Sequence, residues 1–342
     1  MSGEGPSRAA HSAPSGGSAA APAASVGGPP IAVTGADGFI GAAYCRRLAE
    51  RGQPVRRLVR ARSAADLRAD VVALDLAHAN ADALTRALAG AFAVVHLAGR
   101  AHVMNETAPD PEAAYSSANV DATERVALAA VAAGVRRFVF ASSVKVNGEA
   151  TLPGKPFRPG DAPSPHDAYA RSKLAAERAL VQVAGGTSMI ATSLRLPLVY
   201  GPGVRGNFRR LVGAIAARRL LPFGAIDNRR SLVALDHVLD AFDAVIDAPA
   251  AVVGTHFVAD APSVSTPALV RAIASALGVA PRLVSVPVGA LRIAGALSGR
   301  RDAVARLIDW REVDSTSLSR VTAWKPQPFA IDAATVAQAR EL

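Results

Sequence analysis

The stretch HDAYARSKLAAE, His166 to Glu177, sets a tyrosine and a lysine four residues apart. On a helix such residues lie one above the other, so Tyr169 and Lys173 can share a partner. A phenol beside an ammonium can exchange a proton with a ligand oxygen. With four tyrosines and four lysines in the chain, the spacing alone would arise by chance in roughly one sequence in twenty, so the flanking motifs decide. Upstream, RRFVFASSVKVNG reads as a strand ending in Ser142 and Ser143, and the carboxyl end of a parallel strand is where a hydroxyl can face a ligand. Near the start, IAVTGADGFIGAAYCRRLAE reads as strand, tight turn and helix, with Gly35, Gly38 and Gly41 at three-residue intervals. Gly35 permits the turn, Gly38 lets backbone amides approach a pyrophosphate at the helix N-terminus, and Gly41 allows the helix to pack closely on the strand. Opening a βαβ unit, such a turn points to a dinucleotide rather than to a plain connector.

These residues need a scaffold, and its rhythm is legible. After an Ala-, Ser-, Gly- and Pro-rich start, β-branched runs alternate with alanine-rich helical segments: IAVTG, PVRRLVR, VVALDL, AFAVVHLAG and RRFVFASS. Continuously apolar strands separated by helices imply an α/β fold, a Rossmann-type doubly wound parallel sheet covered on both faces. Beyond GPGVRGNF the rhythm loosens, which implies a smaller α/β substrate lobe. The expected organisation is a disordered tail over 1–29 and a dinucleotide-binding domain over 30–200 with a returning segment near 231–259. The lobe is expected over 201–230 and 260–330, and a C-terminal tail over 331–342.

Composition excludes several classes. Half of the 342 residues are hydrophobic, enough for a large core, and no run of eighteen apolar residues suggests a membrane span. The single cysteine, Cys45, forms no internal disulfide and reads as a small core residue, which fits a reducing, cytoplasmic setting. No His/Cys cluster has metal-ligand spacing; His96 and His102, the closest histidines, read as core or solvent groups, so no metal is expected. The net charge of +10 is spread without basic runs or interleaved aromatics, which argues against nucleic acid and for an anionic small substrate.

The second strand should end near Val59, where a carboxylate on the ribose hydroxyls would mark NAD. Arg60 stands there instead, with Arg62 close by and Asp66 the nearest acid downstream. An arginine there suits a 2′-phosphate and favours NADP(H), with NAD(H) possible; an incidental surface arginine is the alternative. Asp75, at the end of VVALDL, is placed either to contact adenine or to cap the following turn.

With the glycine turn, the strand-terminal serines and the Tyr–Lys helix in order, the chain resembles an extended short-chain dehydrogenase/reductase of the nucleotide-sugar epimerase/dehydratase family. The resemblance runs from residue 30 to about residue 328, on TGADGFIG, HLAG, SSVKVNG, YARSK and RLPLVYGPG. It implies that Ser143 is the active-site hydroxyl, Tyr169 the acid/base and Lys173 the group on the nicotinamide ribose. A nearby ammonium and an oxidised nicotinamide would together stabilise the Tyr169 phenolate. The resemblance places Asp37, Phe39 and Ile40 with the three glycines on the dinucleotide, together with Leu76, Leu97, Ala98, Gly99, Pro197 and Val199. Asn119 is implied to be structural. Asn207 and Arg230 match positions that hold a nucleotide-sugar diphosphate, and Arg300, Arg301 and Arg306 include a candidate second phosphate ligand. Lys145 and Asn147, where the family usually differs, would lie beside the sugar; Arg100 and His102 are sugar contacts or plain loop residues.

The family supports 4-epimerisation, 4-keto reduction and 4,6-dehydration. Val144 and Lys145 stand where dehydratases carry an Asp–Glu pair, which disfavours dehydration. SSVKVNGE and FGAIDNRRSLVALD resemble a UDP-glucose 4-epimerase-like subgroup of bacterial surface-polysaccharide synthesis. The resemblance, with Arg60, implies NAD(P)H-dependent reduction of a UDP-4-keto-6-deoxy-(N-acetylamino)hexose for O-antigen or capsule sugars. UDP-glucose or UDP-N-acetylglucosamine 4-epimerisation with bound NAD is the alternative. A non-catalytic dinucleotide-sensing scaffold is more remote, since such proteins lose the tyrosine or lysine. A homodimer is the family expectation.

Overall fold

The computed structural model describes residue 1 and residues 28–60, 70–101 and 108–341. Most of the expected N-terminal tail lies outside the described residues, as do Arg62, Asp66 and His102.

The chain enters as β1 (Ile31–Thr34), α1 (Phe39–Glu50), β2 (Val55–Val59), β3 (Val71–Ala73), α2 (Ala81–Leu88) and β4 (Ala93–His96). It continues through α3 (Pro111–Tyr115), a π-helical turn (Ser116–Asp121), α4 (Ala122–Ala132), β5 (Arg137–Ser143) and a short 3₁₀ turn (Val144–Val146). Next come α5 (Ala168–Ala184), β6 (Ile190–Leu196), β7 (Leu198–Tyr200), α6 (Asn207–Ala216), β8 (Leu232–Ala234), α7 (Leu235–Ile246) and β9 (Gly254–Phe257). The last elements are α8 (Thr266–Ala276), α9 (Val288–Leu297), α10 (Arg301–Ile308), α11 (Thr316–Val321) and α12 (Ala333–Glu341).

Seven strands form one sheet in the order β3-β2-β1-β4-β5-β6-β9, every pair parallel. Alternation along each strand divides the core between the two faces. Val33, Val95, Val139 and Leu194 pack with α1 and α7 on one side, and Ala32, Val94, Phe138 and Phe140 with α2, α4 and α5 on the other. Strands β1 and β4, buried along their whole length, have no polar face, which is why they read as apolar runs. The chain runs outward from β1 to β3 and then returns to β4. The direction therefore reverses between β1 and β4, and a crevice opens outside their carboxyl ends.

β7 pairs with β8 in a separate two-stranded parallel sheet, and a third core, built on Phe208, Val212, Val270 and Ile273, fills the second lobe. The stretch expected to be a C-terminal tail is not one. α12 packs on α6 and α8, and Val336 is buried in the lobe core. Few large apolar residues mark this helix in the sequence, because a short helix resting on a formed lobe needs few anchors.

Candidate active site

At the dinucleotide end, the backbone comes closer than side chains would allow. Gly35 has φ +63°, and a Cβ there would stand 2.8 Å from the Ala98 amide nitrogen. A Cβ on Gly41 would stand 2.1 Å from the Gly35 carbonyl oxygen, so α1 packs on the β1 turn only through glycine. Gly38 is the N-cap of α1 and offers no side chain, which leaves the first-turn amides facing the crevice. Thr34, unremarked in the sequence, ties this turn to its neighbour: its Oγ1 accepts from the amides of Leu97 and Ala98, both at 3.1 Å. The same hydroxyl bonds His96 Nδ1 at 2.8 Å. His96 is fully buried, and burial pushes its pKa down to about 3, so it is a neutral core residue. Asp37 is exposed at the turn, Phe39 and Ile40 are half-buried, and Leu76 is buried in the core.

Arg60 is exposed at the end of β2, and its charge helps to lower the Asp75 carboxyl. The larger cause is the hydrogen bond from His78, with the Ala77 amide also bound at 3.1 Å. Asp75 therefore caps the turn that follows β3.

At the reacting end, β5 delivers Ser143 to the crevice and α5 delivers Tyr169 and Lys173. Asp167 caps α5 by accepting from the Ala170 amide at 2.7 Å, which starts the helix two residues before Tyr169. Tyr169 hydrogen-bonds to Ser143. Its phenol is pushed up to about 12, by burial first; the Ser143 hydrogen bond lowers it, while Asp167 and Tyr115 raise it. Lys173 donates to the Ala141 carbonyl at 2.9 Å, and its Nζ lies 4.5 Å from the centre of the Phe140 ring. Burial lowers its pKa to about 8, against the Glu177 carboxylate, which raises it. Burial is the largest influence on the Tyr169 phenol, and Lys173 donates to β5 through the Ala141 carbonyl.

Gly99, after β4, lies beside Lys173; a Cβ there would meet Lys173 Nζ at 3.8 Å and Asn119 Oδ1 at 2.6 Å. Asn119 is the clamp of this loop. Its Oδ1 accepts from the Arg100 amide at 2.7 Å, and its Nδ2 donates to Ser172 Oγ at 2.8 Å. The π-helical turn carries this buried side chain between the β4 loop and α5. Sequence reasoning missed Tyr115, whose ring meets Tyr169 edge-on with centroids 6.0 Å apart and carries the Arg100 guanidinium at 5.2 Å.

Beneath Ser143 lies a buried ionic network that the sequence did not announce. Arg195 on β6 donates from Nε and Nη2 to the two Glu177 oxygens, at 2.9 and 2.6 Å. Glu177 also accepts from Ser142 Oγ at 2.5 Å, and Arg195 Nη1 donates to Asn147 Oδ1 at 2.7 Å. Asn147, expected beside the sugar, is therefore buried, with its carbonyl turned to Arg195. Lys145, expected as a substrate contact, is held by Asp167 and, at 3.0 Å, by Glu149. Glu149 in turn binds Arg311 Nη2 at 2.6 Å, linking the loop after β5 to the second lobe.

Arg230 donates to the Arg306 carbonyl, and burial, then the charge of Arg311, lowers its pKa to about 10. Arg230, Arg306 and Arg311 thus concentrate positive charge at one place. Asn207 is exposed at the first turn of α6, Pro197 is buried between β6 and β7, Val199 is half-buried within β7, and Arg300 and Arg301 are exposed at the start of α10. Among the described residues, no group of three or more His, Cys, Asp or Glu is placed to hold a metal ion.

Several known proteins are similar to this chain in sequence or fold. A UDP-glucose 4-epimerase of Vibrio cholerae is 40% identical over 234 residues, 68% of this chain and 71% of the relative. A 2-alkyl-3-oxoalkanoate reductase of Stenotrophomonas maltophilia is 30% identical over 268 residues, 74% of this chain and 77% of the relative. Among solved structures, MoeE5 in complex with UDP-glucuronic acid and NAD superposes with a TM-score of 0.68 at 26% identity, covering 90% of this chain and 97% of that one. Residues 31–259 match the family model, and the chain belongs to the NAD dependent epimerase/dehydratase family.

Proposed function

We propose that the protein is a nucleotide-sugar oxidoreductase working at sugar C4, which reduces a UDP-4-keto-6-deoxy-(N-acetylamino)hexose with NAD(P)H. The observation that carries this reading is the hydrogen bond between Tyr169 on α5 and Ser143 at the carboxyl end of β5, with Tyr169 a neutral phenol at pH 7. A neutral phenol is a proton donor, which a ketone reduction needs from its first step. Tyr169 gives its proton to the oxygen developing at C4, and Ser143 Oγ hydrogen-bonds the same oxygen. A reduced dinucleotide held there would supply the hydride for C4, so that carbonyl becomes alcohol with one hydride and one proton. The glycine cradle at Gly35, Gly38, Gly41 and Gly99 fits a dinucleotide, since a Cβ at Gly35, Gly41 or Gly99 would intrude on neighbouring atoms. Lys173, beside Gly99, would hold the nicotinamide ribose, and Leu97 and Val199 would lie against the nicotinamide end. Arg60 supports NADP(H) over NAD(H). Arg230, with Arg306 and Arg311, would bind the substrate diphosphate through charge-assisted hydrogen bonds.

The second reading is 4-epimerisation of UDP-glucose or UDP-N-acetylglucosamine with retained NAD, favoured by the 40% identity to the Vibrio cholerae protein of that name. A homodimer through α4 and α5 is supported by Leu128 and Val181, exposed at 54% and 59% on those helices.

Incubation with UDP-4-keto-6-deoxy-N-acetylhexose and either reduced cofactor, followed at the cofactor's absorbance band, tests the reading. Stoichiometric NADPH loss is expected, and Tyr169→Phe should slow it by about 10²–10⁴-fold while leaving cofactor binding intact. Interconversion of UDP-sugars without net cofactor change would replace reduction by epimerisation.

A further inference from the structure

α9 is built the wrong way round for a surface helix. Its contacts run along one stripe, where Gly295 is buried against Val304 of α10, with a Cβ-to-Cγ2 approach of 2.7 Å if a side chain were added. The opposite face should then be polar. It is instead Ala290, Ile293, Ala294 and Leu297, all exposed, with Ile293 at 64% and Leu297 at 86%. Arg292 is the one polar side chain within the helix, and it reaches Asp309 at 2.8 Å.

Positive charge predominates in the segments that flank this face. Residues 205–226 and 278–301 contain nine arginines and no carboxylate. The two stretches touch: the Leu221 amide donates to the Arg282 carbonyl at 2.8 Å, and the Val284 amide to the Leu221 carbonyl at 2.9 Å, four residues before α9 begins. Leu220, 58% exposed, and Val284, 38% exposed, extend the apolar face at this junction, with Arg218 and Arg219 exposed beside Leu220. Arg300 and Arg301 lie exposed at the other end of α9, with Asp302 the nearest acid in sequence.

We infer that α9 and this arginine rim form a docking surface for an anionic phospholipid bilayer, with the helix lying in the interfacial plane. An apolar helix face sinks into the headgroup boundary, and arginines around it pair with lipid phosphates, each adding to the attraction. A second copy of the chain fits worse, because a two-fold contact through this face would bring the exposed Arg218, Arg219, Arg300 and Arg301 of both copies together. The face is also separate from Leu128 and Val181 on α4 and α5. The consequence for the site is direct. α10, on which α9 rests, ends in the carbonyls that hold Arg230 and Asn228, the latter through Leu307 at 2.9 Å. A docked α9 would therefore set the diphosphate end of the crevice next to the membrane surface.

The inference is independent of which reaction the site performs, and its test needs no substrate. The full chain is mixed with vesicles of phosphatidylcholine plus phosphatidylglycerol, or of phosphatidylcholine alone, and binding is read by flotation. The expected result is binding to the anionic vesicles that weakens as salt rises. Ile293→Glu/Leu297→Glu and, separately, Arg300→Ser/Arg301→Ser should each lower the partition coefficient by about tenfold or more. Circular dichroism and cofactor binding establish that the variants are folded. Failure of the parent to float with anionic vesicles overturns the inference. So does unchanged flotation of the Ile293→Glu/Leu297→Glu variant, or a variant whose only defect is loss of self-association in sedimentation equilibrium, which would assign the face to a second copy.

Discussion

Lys173 is 7% exposed, and the protein surrounds its ammonium with a carbonyl and an aromatic face rather than with water. Its pKa falls from 10.5 to about 8, so at neutral pH the folded protein carries a charge that the unfolded chain would hold more cheaply. Lys173→Met should therefore raise stability while removing activity, by roughly 1–3 kcal/mol in urea denaturation at pH 7. The sign follows from the lowered pKa of a base. The penalty is complete below about pH 8 and fades as pH rises towards 10.5, so the parent and variant curves should converge over that window. Arg60 carries a second prediction. Arg60→Asp replaces a cation at the end of β2 with a ribose-hydroxyl acceptor, and the ratio of NADPH to NADH affinity should fall by about tenfold or more in fluorescence titrations.

Among the elements, the β1 turn and the strand–helix pair beneath the serines can be broken separately. Gly41→Ala puts a Cβ against the Gly35 carbonyl, which must move; loss of about 2 kcal/mol of stability and about tenfold weaker dinucleotide binding are expected. Glu177→Leu leaves the Arg195 guanidinium buried without its carboxylate and should cost about 3–5 kcal/mol, whereas Glu177→Leu/Arg195→Met should recover much of that loss. Equal destabilisation of the single and double variants in chemical denaturation would refute the pairing account. The glycine turn and the Tyr169–Lys173 helix were legible in the sequence because their geometry is local, fixed by spacings of three and four residues. The Glu177–Arg195 pair was not, since it joins α5 to β6 and neither residue type announces a buried partner. Tyr115 escaped for a similar reason: it meets Tyr169 across 54 positions of chain, through the packing of α3 on α5. Lys145 has a tie that spacing alone does not reveal: two residues after Ser143, its ammonium is held by Asp167, the cap of α5.

For the molecule as a whole, the parallel sheet and its glycine turn were readable from alternation and composition, while the second lobe was readable only as a loosening of rhythm. Its parts are assembled from distant segments, such as Arg311 with Glu149 and α12 with α6. The exposed Leu128 and Val181 supply a prediction at this scale: on the proposed homodimer through α4 and α5, Leu128→Glu/Val181→Glu should shift the sedimentation profile from dimer to monomer while leaving α9-dependent vesicle binding in place. The path of the chain bears on how the molecule comes apart. It leaves the main sheet after β6, builds β7, α6 and β8 in the lobe, and returns through α7 to lay β9 against β6 before departing again for α8. The two halves are thus stitched together by repeated crossings rather than joined by one tether. Neither half should be obtainable as a free-standing fragment, and heating should unravel both in a single cooperative step.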